Sequence, residues 1–264
     1  YFLERRVGFD ISLYKNNTFN QIMPVDVTDA TGVDQKFVNG GELQNKGVEL
    51  MLTGTPIETN NFSWDVSVNW AQSENKVVDL AEGIENYLLF SAWGVSVNAT
   101  EGEPFGTIKG KDFIYEDGKR VVYPDDAGFA AGRFQETEKD EVLGNIQPDW
   151  KAGISTTISY KNLSLDVLFD IQQGGDIYSV NQKYGMATGV YEETVGKNDR
   201  GGNIRDDLSN NGGYKFPNTV YPDGSPNETY ISSQNFFSAW YYGYIPEAYN
   251  VYDASYVKLR DASI

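Results

Sequence analysis

The chain contains neither His nor Cys. That removes the commonest general base, the commonest metal ligand and the thiolate nucleophile together. The groups left for chemistry are carboxylates and aromatic rings. Asp166 and Asp170 stand four apart on one face of what reads as a strand, roughly 13 Å along it. Even inverting glycosidases separate their two carboxylates by only about 6.5–9.5 Å, so this spacing does not make an acid/base pair. Asp10, Glu49, Asp65 and Asn69 fall by the same parity on the polar faces of other alternating segments. Asp125-Asp126 and the acidic stretch 199–207 lack the alternating oxygen spacing of a calcium loop and read as solvated turns. Glycine clusters have no strand–loop–Lys–helix context, so they read as turns and not as phosphate cradles. No catalytic constellation and no cofactor or metal site emerges; the chain does not read as an enzyme.

The aromatic rings are more promising. Phe236-Phe-Ser-Ala-Trp-Tyr-Tyr-Gly-Tyr244 is the densest aromatic run in the chain. Phe236, Phe237, Trp240, Tyr241, Tyr242 and Tyr244, with Trp93 of Phe90-Ser-Ala-Trp-Gly94, are candidates for stacking on a ligand or gripping a partner's surface. The competing reading is a small core that keeps a long loop folded.

The elements that would position these groups are strands. In 62–70, Phe62, Trp64, Val66, Val68 and Trp70 alternate with Ser63, Asp65, Ser67 and Asn69. In 163–172, Leu163, Leu165, Val167, Phe169 and Ile171 oppose Ser164, Asp166, Asp170 and Gln172, with Leu168 the exception. Successive side chains of a strand point to opposite faces, so each segment has one apolar and one polar face. Similar alternation covers 6–14, 46–55 and 151–160, and Ser255–Asp261 reads as extended. Pro24 is expected at a strand end or edge. Short turns, Pro56–Asn61 and Lys161-Asn162, lead into two of the strands. Each of those strands then runs into roughly 75 residues without comparable alternation, far beyond ordinary loops. Within them, Asp117-Gly118 between two extended runs predicts a type I′ hairpin. No helix of convincing length is expected.

Short turns at one end, long loops at the other and apolar-out, polar-in strands are the pattern of a transmembrane β-barrel. The run Phe62–Trp70 reaches roughly 26 Å, or roughly 19 Å along the membrane normal at a ~45° tilt, most of the ~25 Å apolar band. Asp10, Glu49, Asp65, Asn69, Asp166 and Asp170 would then face the lumen. No apolar run is long enough for a membrane helix, which leaves a barrel open. A formal net charge of −17 makes nucleic acid an unsuitable partner. Hydrophobic residues at 40% and aromatics at 14% argue against disorder. The soluble alternatives are an extracellular carbohydrate-binding β protein and a secreted polysaccharide-degrading β enzyme.

Several segments carry a resemblance. Asn39-Gly-Gly-Glu-Leu-Gln-Asn-Lys-Gly-Val-Glu-Leu50 resembles the N-a-G-e-i-q-N-k-G-v-E-l segment of SusC/RagA-type TonB-dependent outer-membrane transporters. Phe62-Ser-Trp-Asp-Val66 resembles the strand that follows it, and Asn75-Lys-Val-Val-Asp-Leu80 that strand's exit. Glu101-Gly-Glu-Pro-Phe-Gly-Thr-Ile-Lys-Gly110 is similar to a G-x-P-y-G-x-i-x-G loop, and Leu143-Gly-Asn-Ile-Gln-Pro-Asp-Trp150 to l-G-n-x-x-P-d-w. Gly174-Gly-Asp-Ile-Tyr178 and Ala254-Ser-Tyr-Val-Lys-Leu-Arg260 match two later landmarks. Singly these motifs are weak; their order and spacing carry the resemblance, which is thinnest over 179–249.

The resemblance implies an all-β fold: residues 1–264 as part of a large antiparallel transmembrane barrel, with long extracellular loops and short periplasmic turns. It implies a place in the bacterial outer membrane, contact with its lipid, and uptake of a glycan or peptide. The implied partners are a SusD-like surface lipoprotein and the TonB complex. Tyr1-Phe-Leu-Glu-Arg-Arg6 at one end and Ala262-Ser-Ile264 inside a strand at the other read as the ends of a fragment. Plug, signal peptide and closing strands are expected to lie outside it.

Overall fold

The structure is a computed structural model that describes residues 6–26, 32 and 34–264. Residues 1–5, 27–31 and 33 lie outside the described residues. The chain begins with three long strands, β1 (Val7–Asp26), β2 (Gln35–Glu58) and β3 (Phe62–Asp79). A first long connection holds β4 (Asn86–Ala92), β5 (Val95–Thr100), β6 (Thr107–Gly110), β7 (Tyr115–Glu116), β8 (Lys119–Val121) and β9 (Glu141–Asn145). Then come β10 (Trp150–Tyr160) and β11 (Leu163–Gln173). A second long connection holds β12 (Asp176–Tyr178), α1 (Val180–Thr188), β13 (Thr219–Val220), α2 (Ser233–Tyr242) and β14 (Val251–Asp253), and β15 (Tyr256–Ser263) ends the order.

One six-stranded sheet, β1-β2-β3-β10-β11-β15, joins the alternating segments, and every pair in it is antiparallel. Residues directly opposite across a ladder share a face, so the register tests the parity. One row runs Phe9–Leu52–Val68–Ile154–Phe169–Leu259. The next runs Ile11–Leu50–Trp70–Ala152–Ile171–Val257. The apolar residues of all six strands therefore share one face. Neither buried core cluster takes a residue from those rows, and Phe9 and Leu259 stay 55% and 58% exposed. A soluble sandwich would bury such a face under a second sheet. Its polar hydrogen-bonding groups are paired: Trp64 Nε1 donates to Thr156 Oγ1 at 2.8 Å, and that hydroxyl donates to the Asp65 carbonyl at 3.2 Å.

The connections divide as the pattern required. Thr59–Asn61 and Lys161-Asn162 turn the chain at one end, where the Lys161 amide donates to the Asn61 carbonyl at 2.9 Å. The long connections leave from the other end. β2 runs further than the sequence suggested, passing Pro56 with a register irregularity between Gly54 and Ile57, where a proline is tolerated. Pro24 lies within β1, an edge strand of the sheet. β1, β2 and β3 also overrun the barrel crossing: 11 residues suffice in β10 and in β11, against 20, 24 and 18 in the first three.

The surplus hairpin bends, and the Asn39-Gly-Gly41 motif explains how. Asn20 has φ 55° and Gly41 has φ 84°, and they fall at the same level between the pairs Phe19↔Glu42 and Gln21↔Gly40. A Cβ on Gly40 would meet Ala81 Cβ at 2.7 Å. The bend and the close approach bring Met23 into a core with Val77, Leu80 and Ala99. The expectation of no helix fails. α1 and α2 each begin at a serine whose Oγ accepts a backbone N–H, Ser179 from Gln182 and Ser232 from Asn235, and end at Gly189 and Gly243 with φ 71° and 79°. Cap and stop were both in the sequence, but the aromatic-rich interior of α2 obscured the period.

Two outcomes follow from this architecture. In the intact protein, Val66→Arg or Val167→Arg should impair assembly in lipid by about 2–4 kcal/mol, whereas Ser67→Ala or Ser164→Ala should be nearly neutral in the same folding titration. Gly41→Val should cost about 1–3 kcal/mol from φ strain alone and open the bent part of β1 and β2, residues 20–26 and 35–41, to proteolysis; an unchanged cleavage pattern would refute the role given to the bend.

Candidate functional site: the polar face and the loop domain above it

The six polar residues singled out by parity lie together on the face opposite the apolar rows. Asp65 and Asp166 both stand opposite Thr157. Asp65 Oδ1 accepts from Thr55 Oγ1, and Asp166 Oδ1 from Thr157 Oγ1, both at 2.6 Å. Asn69 and Asp170 both stand opposite Gly153, where a Cβ would lie 2.3 Å from Asn69 Oδ1. Asp170 Oδ2 accepts from Arg260 Nε and Nη2 at 2.8 and 2.5 Å and from the Tyr256 hydroxyl at 3.1 Å. Asp10, Glu49, Asn69 and Asp170, with Lys151, line a hollow of about 470 Å³. Asp65, with Arg6, Ser67 and Thr157, lines a second of about 290 Å³. Both open on the polar face.

The two long connections form one body above the sheet. Phe113, Val122 and Phe134 from the first share a core with Met186, Phe216, Ile231, Phe236, Ala239, Trp240 and Ile245 from the second. β13 pairs with β8 in parallel across the two. The predicted type I′ hairpin is present between β7 and β8, with Asp117 at φ 48° and Gly118 at φ 76°.

This body divides the aromatic candidates. Phe236 and Trp240 are completely buried, with Trp240 packed 4.8 Å from the Tyr249 ring. Four residues apart on α2, they occupy its inward face, so helical period places them in the core and away from any ligand. Phe237 packs partly buried against the same core. Tyr241, Tyr242 and Tyr244 remain exposed, and Tyr241 meets Tyr242 and Tyr184 edge-on. Trp93 sits at a hairpin tip, half exposed, with φ 53° followed by Gly94 at φ 93°. A bulky residue in that region is strained; here its carbonyl is held by the Tyr178 hydroxyl at 3.3 Å and Lys183 Nζ at 3.2 Å.

The motifs behind the resemblance meet at the rim between sheet and loop body. Asn75 Oδ1 accepts from the Phe105 amide at 2.8 Å, and Asn145 Nδ2 donates to the Phe105 carbonyl at 3.2 Å. Asp176 Oδ2 accepts from the Asn145 amide at 2.9 Å, close enough that Gly144 has no room for a Cβ. The Gly174 amide donates to Ser255 Oγ at 2.7 Å. N-K-V, G-E-P-F-G, L-G-N and G-G-D are thus parts of one hydrogen-bonded collar. The resemblance marked these segments without revealing that they touch.

A second seam is one the sequence did not disclose. Glu247 is buried; its Oε2 accepts from the Lys111 amide at 3.2 Å and its Oε1 packs against Gly94. Burial raises its pKa, and Glu136 adds to this; the backbone donors and Lys183 oppose it. A raised carboxyl pKa means the fold holds the proton more tightly than the unfolded chain does. The associated stability is full below the ordinary glutamate range and is lost as pH rises through the raised value. Glu247→Gln, which keeps the shape without the charge, should therefore melt higher than the unsubstituted protein at pH 8, with the gap closing toward pH 4. A gap that widens on acidification would reverse the assignment.

No family model matches the chain. It is 30% identical over 196 residues to TonB-dependent receptor P26 of Formosa agariphila, covering 67% of this chain and 20% of the relative. It is 23% identical over 282 residues to TonB-dependent receptor P3 of the same organism, covering 98% and 25%. TonB-dependent receptor SusC of Bacteroides thetaiotaomicron is 30% identical over 83 residues, 31% of this chain and 8% of the relative. The chain thus spans about a quarter or less of these relatives. Its fold matches the RagAB peptide importer in its open-open state with a TM-score of 0.62 at 18% identity, over 98% of this chain and 26% of that one. The uncovered apolar rows, the collar of matched motifs and these likenesses place the chain in the SusC/RagA-type TonB-dependent transporters of the bacterial outer membrane, as a stretch of barrel wall with its loops.

Proposed function

We propose that this chain supplies a mid-to-late part of the wall and extracellular mouth of an active importer of glycans or peptides. A plug and a TonB-contacting segment belong to the rest of the protein, and a SusD-like lipoprotein closes over the mouth. The observation that carries this reading is the polar face with its two hollows, opposite the uncovered apolar rows and joined to a folded loop body whose aromatic rings are partly exposed. Asp10, Glu49, Asp65, Asn69, Asp166 and Asp170 then line the lumen, where they give a polar path or meet the plug. The soluble lectin alternative is disfavoured by the uncovered apolar rows Phe9–Leu259 and Ile11–Val257.

Among the loop aromatics, Tyr241, Tyr242, Tyr244 and Trp93 are the surface available to substrate or lid. Exposed stacked rings contribute about 0.5–1.5 kcal/mol each beyond their area. Tyr241→Ala with Tyr242→Ala in the intact transporter should therefore weaken either substrate uptake or lipoprotein association several-fold, with insertion unchanged. Trp240→Ala should act differently, destabilising the loop body by about 3–5 kcal/mol. Normal uptake and normal lid binding in the double variant would confine these tyrosines to a structural role.

A further inference from the structure

Arg133 is among the largest side chains fully enclosed in the loop body, at 1% exposure. Its guanidinium lies against two rings, 3.7 Å from the centre of Phe129 and 4.7 Å from that of Tyr244, which themselves meet edge-on at 5.6 Å. Nη2 reaches only the Asn235 carbonyl and Ser238 Oγ, each at a long 3.4 Å. Nε and Nη1 have no acceptor among the described residues, and no carboxylate there forms an ion pair with Arg133. Arginine does not shed its charge to escape such a site. Enclosing a cation without acceptors is among the more costly arrangements a fold can hold.

The cover is one ring thick. Phe129 is 59% exposed and Tyr244 44%, and Phe129 belongs to neither core cluster. Phe129 follows Gly128, whose φ 61° and ψ −122° interrupt the short helical segment Asp125–Ala130. A Cβ on Gly128 would meet nothing within 4 Å, whereas Gly132 packs against Thr229 and Ile231. The backbone of Arg133 is fixed: its amide donates to the Ala130 carbonyl at 3.0 Å, and its carbonyl accepts from Tyr123 at 2.9 Å. The cation is thus anchored, while the ring above it has open space and a glycine on one side.

We propose that Arg133 is the centre of a carboxylate-binding subsite on the extracellular side, with Phe129 as its swinging cover. When the ring moves aside, a ligand carboxylate takes the guanidinium fork that includes a free nitrogen, and the Tyr244 ring stays against the guanidinium. The inference rests on the importer reading for its biological meaning, because it selects substrates with a free carboxylate. Two sources present that group: the C-terminus of a peptide and the uronic acid of an acidic glycan.

The test is direct binding to the intact, detergent-purified transporter by calorimetry, which does not depend on uptake. The probes are a tripeptide and its C-terminal amide, and a trigalacturonate and its methyl ester. The expected result is at least tenfold tighter binding of one acid than of its neutral counterpart. Arg133→Gln should abolish that preference, and Phe129→Ala, a surface change, should strengthen it. The acid that shows the preference identifies the source. Equal binding of acid and neutral forms, or no binding of either acid even in Phe129→Ala, would overturn the proposal and leave Arg133 as a stacked tie between Phe129 and α2. Uptake that fails while the acid preference persists would count against the importer reading alone.

Discussion

A backbone that crosses hydrocarbon must satisfy its own N–H and C=O groups, because no water is there to do it. In this chain the ladder β1-β2-β3-β10-β11-β15 meets that demand strand by strand. Everything else about the sheet follows from the pairing. Once Phe9 stands opposite Leu52, and Leu52 opposite Val68, a slip of one residue anywhere would turn an apolar row toward the polar side. One of the local departures, the irregularity at Leu168/Phe169 against β15, falls where Leu168 breaks the alternation.

The same ladder sets the terms for the loops. Two connections that leave the same end of the sheet are close to each other from the start, and each alone is too small to build a sizeable core. They share one. Phe113 and Phe134 from the first pack with Phe236 and Trp240 from the second, and Glu247 of the second sits on Gly94 and Lys111 of the first. Changes that loosen one loop should therefore be felt by the other. The collar of Asn75, Phe105, Asn145 and Asp176 fastens this shared body to the rim.

Glycines do specific work at two points of close approach. Gly41 lets the long hairpin bend at a left-handed φ, and Gly40 lets it lie against Ala81. Gly47 lets the Tyr14 side chain cross the polar face of β2. A motif that looks like a string of small residues is a record of what passes over it.

The face each strand residue would take was legible in the sequence, because alternation has a period of two and one face is apolar from end to end. So were the tight turns and the Asp117-Gly118 hairpin, which depend on residues next to each other. The carboxylates of the polar face could be named for the same reason. What could not be read was anything set by residues far apart in the chain. Phe236 and Tyr242 are equally aromatic in the sequence; only the packing of α2 against Phe216 and Tyr249 makes one core and the other surface. Arg133 is unremarkable until Phe129 and Tyr244 close on it. The local period determined the sheet, and the meeting of two distant loops decided which side chains are left free to act.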